Sequence, residues 1–314
     1  MITMPTDEQR GRDPEFFDKA YKLVDIVSHW LTPRVSLERA SILDFGCGHG
    51  ETALGFAMRY PEAQVFGIDL STDEEGLRRR SEANIGQASL PANLKIRSIE
   101  PGEFPDFGSK FSAIYSWSVI EHVRIDLLPA VLTQLNRALA DDGFIFIQIA
   151  PLYYSAFGHH VSWTPQFAWS HLTTQCDMFD AQLVQFAEAP EKITELRGTY
   201  ETLNRLTAEE LRHVLEDAGF FVEAQYRTLL TEGKPSRTSY AFRSEVVDTE
   251  QVVLVCSKAS ARNSGRPRLT RGAWGAFARA LESRRTSAPG TGVVMDCSAY
   301  FGSLDDYSIF EACS

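Results

Sequence analysis

Apolar residues recur at helical spacing from Phe16 to Leu31, until Pro33 stops the run. Beyond it, short continuous apolar runs alternate with longer helical patterns. The runs Ser41–Phe45, Gln64–Ile68, Leu94–Ile99, Phe111–Ser116 and Phe144–Ile149 predict strands, and Glu51–Tyr60, Asp73–Ile85 and Leu127–Ala140 predict helices. Apolar strands separated by helices indicate a parallel sheet covered on both faces, an α/β architecture. Thr207 and Glu210 form a capping box that opens a further helix, which Gly219 closes. Two more strands follow, near Phe220–Leu229 and Gln251–Cys256. The segment Pro151–Leu206 breaks the alternation and holds nine aromatic residues. A connection of that length inside a domain predicts a functional lid or insertion.

Composition narrows the class. The chain has 314 residues and a formal net charge of -11. An acidic balance argues against a dedicated nucleic-acid binder. The charge is uneven, at -14 over residues 1–257, +7 over 258–285 and -4 over 286–314. Residues 259–314 therefore read as a C-terminal extension, with a short helical pattern at Ala273–Leu281 and the capacity to mediate a homodimer. Five cysteines, Cys47, Cys176, Cys256, Cys297 and Cys313, are scattered without a CxxC pair. Neither a disulfide framework nor a zinc ribbon is expected, and no metal site is predicted. The polar residues 1–14 predict a flexible N-terminus without a secretory signal, and no apolar run is long enough for a membrane span. A cytoplasmic protein is expected.

The chemistry concentrates in Ile42–Glu51, where a strand runs into glycines at 46, 48 and 50 and then into a helix. Glycines there allow positive φ and close approach of backbone to a ligand. The dinucleotide fingerprint G-x-G-x-x-G is not met, because residue 51 is Glu. Asp44 at the strand end would repel a pyrophosphate but suits a cationic amino acid. Asp69, at the end of the second strand, suits ribose hydroxyls. Two acids around a glycine turn describe a nucleoside ligand that carries an ammonium group and no phosphates. S-adenosylmethionine fits that description.

These motifs resemble those of the class I S-adenosylmethionine-dependent methyltransferases (the type 11/12-like group) over residues 15–258. LDFGCGHG is similar to that family's first motif, VFGIDLS to the acidic end of its second strand, and SIEPGEFP to its adenine loop. FSAIYSWSVIEHV resembles its fourth strand and the turn that follows, and LNRALADDGFIFIQIAP its next helix and fifth strand. Ser112 stands where the family often has Asp, and Glu100 replaces an Asp. The resemblance implies a Rossmann-like, seven-stranded, mostly parallel sheet with the last strand antiparallel. It also implies site roles. Asp44, Gly46, Cys47 and Gly48 would hold the methionine moiety, with Asp69 on the ribose and Leu70 flanking the adenine. Glu100 and Pro101 would meet the adenine edge, and Ser116 and Trp117 would lie near the sulfonium.

The acceptor is expected outside the carboxyl ends of the strands. Residues 151–206 would then form its lid, with Tyr153, Tyr154 and Trp163 touching it. A hydroxyl acceptor needs a base, and a histidine near neutral pKa suits the task. His159, His160 and His122 are the candidates, and His171 reads as structural. The expected function is methyl transfer from S-adenosylmethionine to a small-molecule or glycan-type acceptor at oxygen, with a histidine base. N- or C-methylation, or a non-catalytic cofactor-binding module, are the alternatives.

Overall fold

The computed structural model describes residues 11–161, 163, 167–173, 184, 190–230 and 243–259. The pattern expected at Ala273–Leu281, the extension from residue 260 onward, Cys176, Cys297 and Cys313 lie outside them.

The leading helix has three parts, α1 (Pro14–Phe17), a π-helical stretch (Asp18–Leu23) and α2 (Val24–Leu31). Then follow β1 (Ser41–Phe45), α3 (Glu51–Arg59), β2 (Gln64–Asp69), α4 (Glu74–Ile85), β3 (Leu94–Ser98) and β4 (Phe111–Trp117). A 3₁₀ turn (Ile120–His122), α5 (Leu128–Ala138) and β5 (Leu139–Ile149) complete the parallel part. After β5 come α6 (Ser170–Thr173), α7 (Pro190–Thr202), α8 (Ala208–Asp217), β6 (Phe220–Leu229), α9 (Ser244–Asp248) and β7 (Thr249–Lys258).

The seven strands lie in the order β3-β2-β1-β4-β5-β7-β6. The first five run parallel, and β7 is antiparallel to both β5 and β6. The expected mostly parallel sheet with an antiparallel last strand is present. Because successive strands step outward from β1 on one side and from β4 on the other, a crevice opens where the order reverses, between β1 and β4.

Alternation along the strands fills two cores. Leu43, Ile114, Ile145, Ile147 and Leu254 face α5 and α8. Ile42, Ala113, Tyr115, Phe146 and Val253 face α2 and α3. Buried on both faces, the strands read as unbroken apolar runs, which is why the sequence revealed them. The capping box on α8 is present with both reciprocal bonds. Helix α3 meets the π-helical stretch closely: a Cβ on Gly55 would lie 2.0 Å from the Ala20 carbonyl oxygen.

Among the element boundaries that differ from the sequence expectation, two have a clear physical reason. Helix α5 stops at Ala138 rather than Ala140, because Leu139 is buried and pairs with Phe111, beginning β5 early. A register shift then separates that pair from Ala113 and Phe144. At the other end of the chain, Asp13 and Pro14 belong to the fold. Asp13 caps α1 by accepting from Phe16 N–H at 3.1 Å, and Pro14 is its first residue. Among the described residues, no helix is long and apolar enough to cross a membrane.

Candidate active site

The glycine turn leaves β1 at the reversal point. Gly46 and Gly48 adopt φ of 81° and 55°, a region that costs any residue with a Cβ. A Cβ on Gly46 would also lie 2.2 Å from the Val119 side chain, whereas one on Gly48 would meet nothing within 4 Å. The turn is stitched to the end of β2. Gly46 and Cys47 donate their N–H groups to the Ile68 carbonyl at 2.8 and 3.1 Å, and Gly48 N–H donates to Asp69 Oδ2 at 2.8 Å. Asp69 Oδ1 accepts from Ser71 N–H at 3.3 Å. The two sequence motifs thus form one unit.

Asp44 lies just beneath that turn, 3% exposed, with Oδ2 lacking a hydrogen-bond partner among the described residues. Burial pushes its carboxyl up to about 8, helped by the nearby Asp69 and Glu51 carboxylates. The Tyr115 hydroxyl beside it works in the opposite direction without closing a good hydrogen bond. Glu51, the residue that breaks the dinucleotide pattern, is buried at the start of α3 and pairs with Arg80. Arg80 also grips Asp13, through Nη2 to Oδ1 at 2.8 Å and Nε to Oδ2 at 3.1 Å. Hydrogen bonding from Arg80 holds the Asp13 carboxyl below its usual range. The leading helix is therefore tied to the glycine turn through one guanidinium.

The adenine-side candidates share a rim. Ile99 N–H donates to the Asp69 carbonyl at 2.8 Å, which brings the ends of β2 and β3 together. Leu70 is exposed there, and Glu100 and Pro101 are exposed one step further on. The Glu100 N–H is held by Glu103 Oε2 at 2.9 Å, leaving its side chain at the surface.

On the other side of the crevice, Ser116 is fully buried, its hydroxyl without a hydrogen-bond partner among the described residues, and Trp117 stacks on Phe146 at 6.1 Å between centroids. Ser118 pins the end of β4 to β5, donating its N–H to the Gln148 carbonyl at 2.9 Å while its hydroxyl lies 3.0 Å from Gln148 Oε1. The turn after it carries Glu121 and His122. Asn204 clamps that turn, donating N–H to the Glu121 carbonyl at 2.9 Å and Nδ2 to the Ile120 carbonyl at 2.6 Å. Both Glu121 carboxyl oxygens are buried without partners among the described residues, and burial raises the group to about 8.

The histidines separate into different environments. His160, at φ 57°, places Nε2 3.0 Å from the Pro151 carbonyl. A carbonyl only accepts, so Nε2 carries the proton and Nδ1 keeps its lone pair. The His160 ring meets that of His122 edge to face, with centroids 4.9 Å apart. His159 is buried, and its Nδ1 accepts from Val161 N–H at 3.0 Å. His171 contacts the Tyr153 carbonyl through Nε2 at 2.5 Å. Burial depresses all four, His159 and His160 to about 4, so each imidazole is neutral at pH 7.

Tyr153 and Tyr154 lie in a buried aromatic cluster with Trp169, Leu172 and Leu203, whereas Trp163 is 64% exposed. Arg205 lies over the rings of Tyr153 and Tyr200, 4.7 and 5.3 Å from their centroids, and those two hydroxyls are 2.9 Å apart. Tyr115, Gln148, Asn204 and Arg205 were not singled out in the sequence. No short motif marks them, because each has a partner far along the chain, as Ser118 with Gln148, 30 positions apart, and Ile120 with Asn204, 84 apart, illustrate. Among the described residues, no group of three or more His, Cys, Asp or Glu is placed to hold a metal ion.

The model of a methyltransferase-domain family matches residues 18–225, two thirds of the chain. This chain belongs to that family. The malonyl-[acyl-carrier protein] O-methyltransferase of Geobacter sulfurreducens is 31% identical over 107 residues, 34% of this chain and 37% of that protein. The trans-aconitate 2-methyltransferase of Afipia carboxidovorans is 28% identical over 196 residues, 60% of this chain and 67% of that protein. The chain spans about two-fifths of the length of most such relatives. Among solved structures, the magnesium protoporphyrin IX methyltransferase of Synechocystis with bound SAH is 13% identical over 76% of this chain and 82% of that one, with a TM-score of 0.43.

The family's cofactor is S-adenosylmethionine, and the residues present fit it. The buried Asp44 Oδ2, without a hydrogen-bond partner among the described residues, suits an ammonium group, the open flank at Gly48 leaves room for backbone contact, and Asp69 offers a carboxyl group at the end of β2.

Proposed function

We propose that the chain transfers a methyl group from S-adenosylmethionine to an oxygen of a small-molecule or glycan-type acceptor, with His160 taking the acceptor's proton. When bound, the cofactor supplies an electrophilic methyl carbon on a sulfonium. Asp44 and the Gly46–Gly48 backbone would hold its amino-acid end, Asp69 its ribose, and Leu70, Glu100 and Pro101 its adenine. Ser116 and Trp117 would border the methyl group. The acceptor would enter between the turn at His122 and the segment after β5, with Tyr153 and Trp163 on its side.

The observation that carries the base assignment is the His122–His160 pair. His160 is oriented by the Pro151 carbonyl, neutral at pH 7, and equipped with one lone pair. Orientation of a base by a second group is the arrangement general-base chemistry uses. His159 is less suited, because its Nδ1 already accepts from Val161 N–H. A relative named as an O-methyltransferase agrees with an oxygen acceptor. The free thiols of Cys47 and Cys256 fit a reducing, cytoplasmic compartment.

The test is formation of S-adenosylhomocysteine from S-adenosylmethionine across a panel of hydroxyl, carboxyl and amine acceptors, repeated with His160→Gln and His159→Gln. The proposal requires an oxygen acceptor and loss of turnover in H160Q with cofactor affinity kept. Cofactor binding without product across the whole panel supports the non-catalytic reading instead.

A further inference from the structure

Asp44 and Tyr115 are register partners on β1 and β4, the two strands that flank the reversal point. Cα partners on parallel strands project to the same face, and here both side chains fall on the side covered by α3. The Tyr115 ring is fully buried and stacked against Phe56 of α3, 4.7 Å between centroids and 27° between planes. Its hydroxyl is thereby fixed beside the Asp44 carboxyl. Neither that hydroxyl nor Asp44 Oδ2 has a hydrogen-bond partner among the described residues.

A buried tyrosine hydroxyl normally finds a partner, and leaving one without is costly. Phenylalanine would fill the same place against Phe56 at no such cost. An unused donor next to an unused acceptor marks a contact completed in another state of the site.

We infer that Tyr115 is a positioning residue for the cofactor, its hydroxyl donating to the Asp44 carboxylate once that carboxylate receives the cofactor's ammonium group. The inference rests on the reading of Asp44 as the residue that holds the methionine moiety. The proton that Asp44 carries in the free protein leaves for solvent as the ammonium arrives. The carboxylate then has the ammonium on one side and the Tyr115 O–H on the other, in addition to the Ala53 backbone N–H at the start of α3. Several groups bear on this carboxyl. Asp69 from β2 and Glu51 from α3 oppose its ionisation, Arg80 neutralises Glu51, and the Cys47 thiol lies in the turn above. Tyr115 favours the ionised form.

Titration calorimetry with S-adenosylhomocysteine tests this on the full chain from pH 6 to 9, because the ligand's own ionisation is common to every variant. Wild-type affinity is expected to rise with pH and level off near 8. Tyr115→Phe, with a melting temperature no lower than wild type, is expected to bind about fivefold more weakly at pH 7, the scale of one hydrogen bond. Its midpoint should also move to higher pH, which a packing defect would not cause. Asp44→Asn should weaken binding, flatten the profile, and make Y115F silent when the two are combined. Loss in D44N with an unchanged Y115F profile overturns the role of Tyr115 alone. An unaffected D44N removes the reading of Asp44 and the inference with it.

Discussion

The imidazoles of His122 and His160 meet edge to face, 4.9 Å between centroids, although 38 positions separate them. One follows β4 and the other follows β5, so the parallel pairing of those strands brings them together. With Nε2 committed to the Pro151 carbonyl, His160 has Nδ1 left to accept a proton. His160→Gln is expected to lower kcat by roughly 10²–10⁴-fold, the range for a general base, with S-adenosylhomocysteine affinity unchanged. His159→Gln should instead lower the melting temperature. Because burial holds His160 near 4, the acid limb of kcat/KM for the acceptor, measured at saturating S-adenosylmethionine, should fall below about pH 5 rather than at the usual histidine value near 6.5. A limb near 6.5 in wild type, or full turnover in H160Q, contradicts the assignment.

The buried ionisable groups give stability a defined pH dependence. Glu121 and Asp44 have folded values near 8, above their ordinary 4.5 and 3.8. The unfolded chain therefore releases these protons first, and their penalty on folding grows as pH rises from about 4 to 8. His159 and His160, depressed from 6.5 to about 4, act the other way, and stability falls as pH drops from 6.5 to 4. Above pH 6.5 these histidines are neutral in both states, leaving the carboxyls to dominate. The melting temperature should decline between pH 6.5 and 8, and Glu121→Gln should flatten that decline, with the largest gain at pH 8. Parallel wild-type and E121Q curves would rule this out.

The fold was legible because its signals are local and repeated. Strands such as Ser41–Phe45, buried on both faces, were unmistakable apolar runs, and Asp44, the glycines and Asp69 form a spaced pattern. The missing parts are long-range. Leu139 has the character of a helix end and is drawn into the sheet by pairing with Phe111. Tyr153 and Tyr154 read as acceptor contacts in sequence, and their packing with Trp169, Leu172 and Leu203 is set by tertiary placement that spacing alone does not encode. The Asn204 clamp on the Glu121 turn and the Tyr115–Asp44 pair depend on tertiary placement, which one-dimensional spacing does not encode.

Arg80 joins three parts of the fold. It pairs with Glu51, which is 1% exposed, and with Asp13 at the start of the leading helix. Removing it by Arg80→Met leaves a buried carboxylate uncompensated, a loss of about 3–5 kcal/mol for such pairs. Denaturant unfolding should register that loss, and limited proteolysis should cleave first near residues 11–23. Unchanged stability would mean that Glu51 finds another partner.

Gly55 tests the close approach of α3 to the π-helical stretch. Its missing Cβ would lie 2.0 Å from the Ala20 carbonyl oxygen. Gly55→Ala should cost about 1–3 kcal/mol through overpacking, even though alanine is the better helix former. A neutral or stabilising G55A, read from chemical unfolding, would contradict that packing.

The central claim is that the glycine turn and Asp69 together hold S-adenosylmethionine. Gly48 N–H and Asp69 Oδ2 are joined at 2.8 Å, so the carboxylate sets the turn, and on this account it would also present its edge to the ligand. The most direct measurement is calorimetric titration of S-adenosylhomocysteine into the wild-type chain and into Asp69→Ala. The account predicts one site per chain in the wild type and a loss of at least about tenfold in D69A, on the scale of one charge-assisted interaction. No binding to the wild type at high micromolar ligand, or equal binding to both proteins, would contradict it.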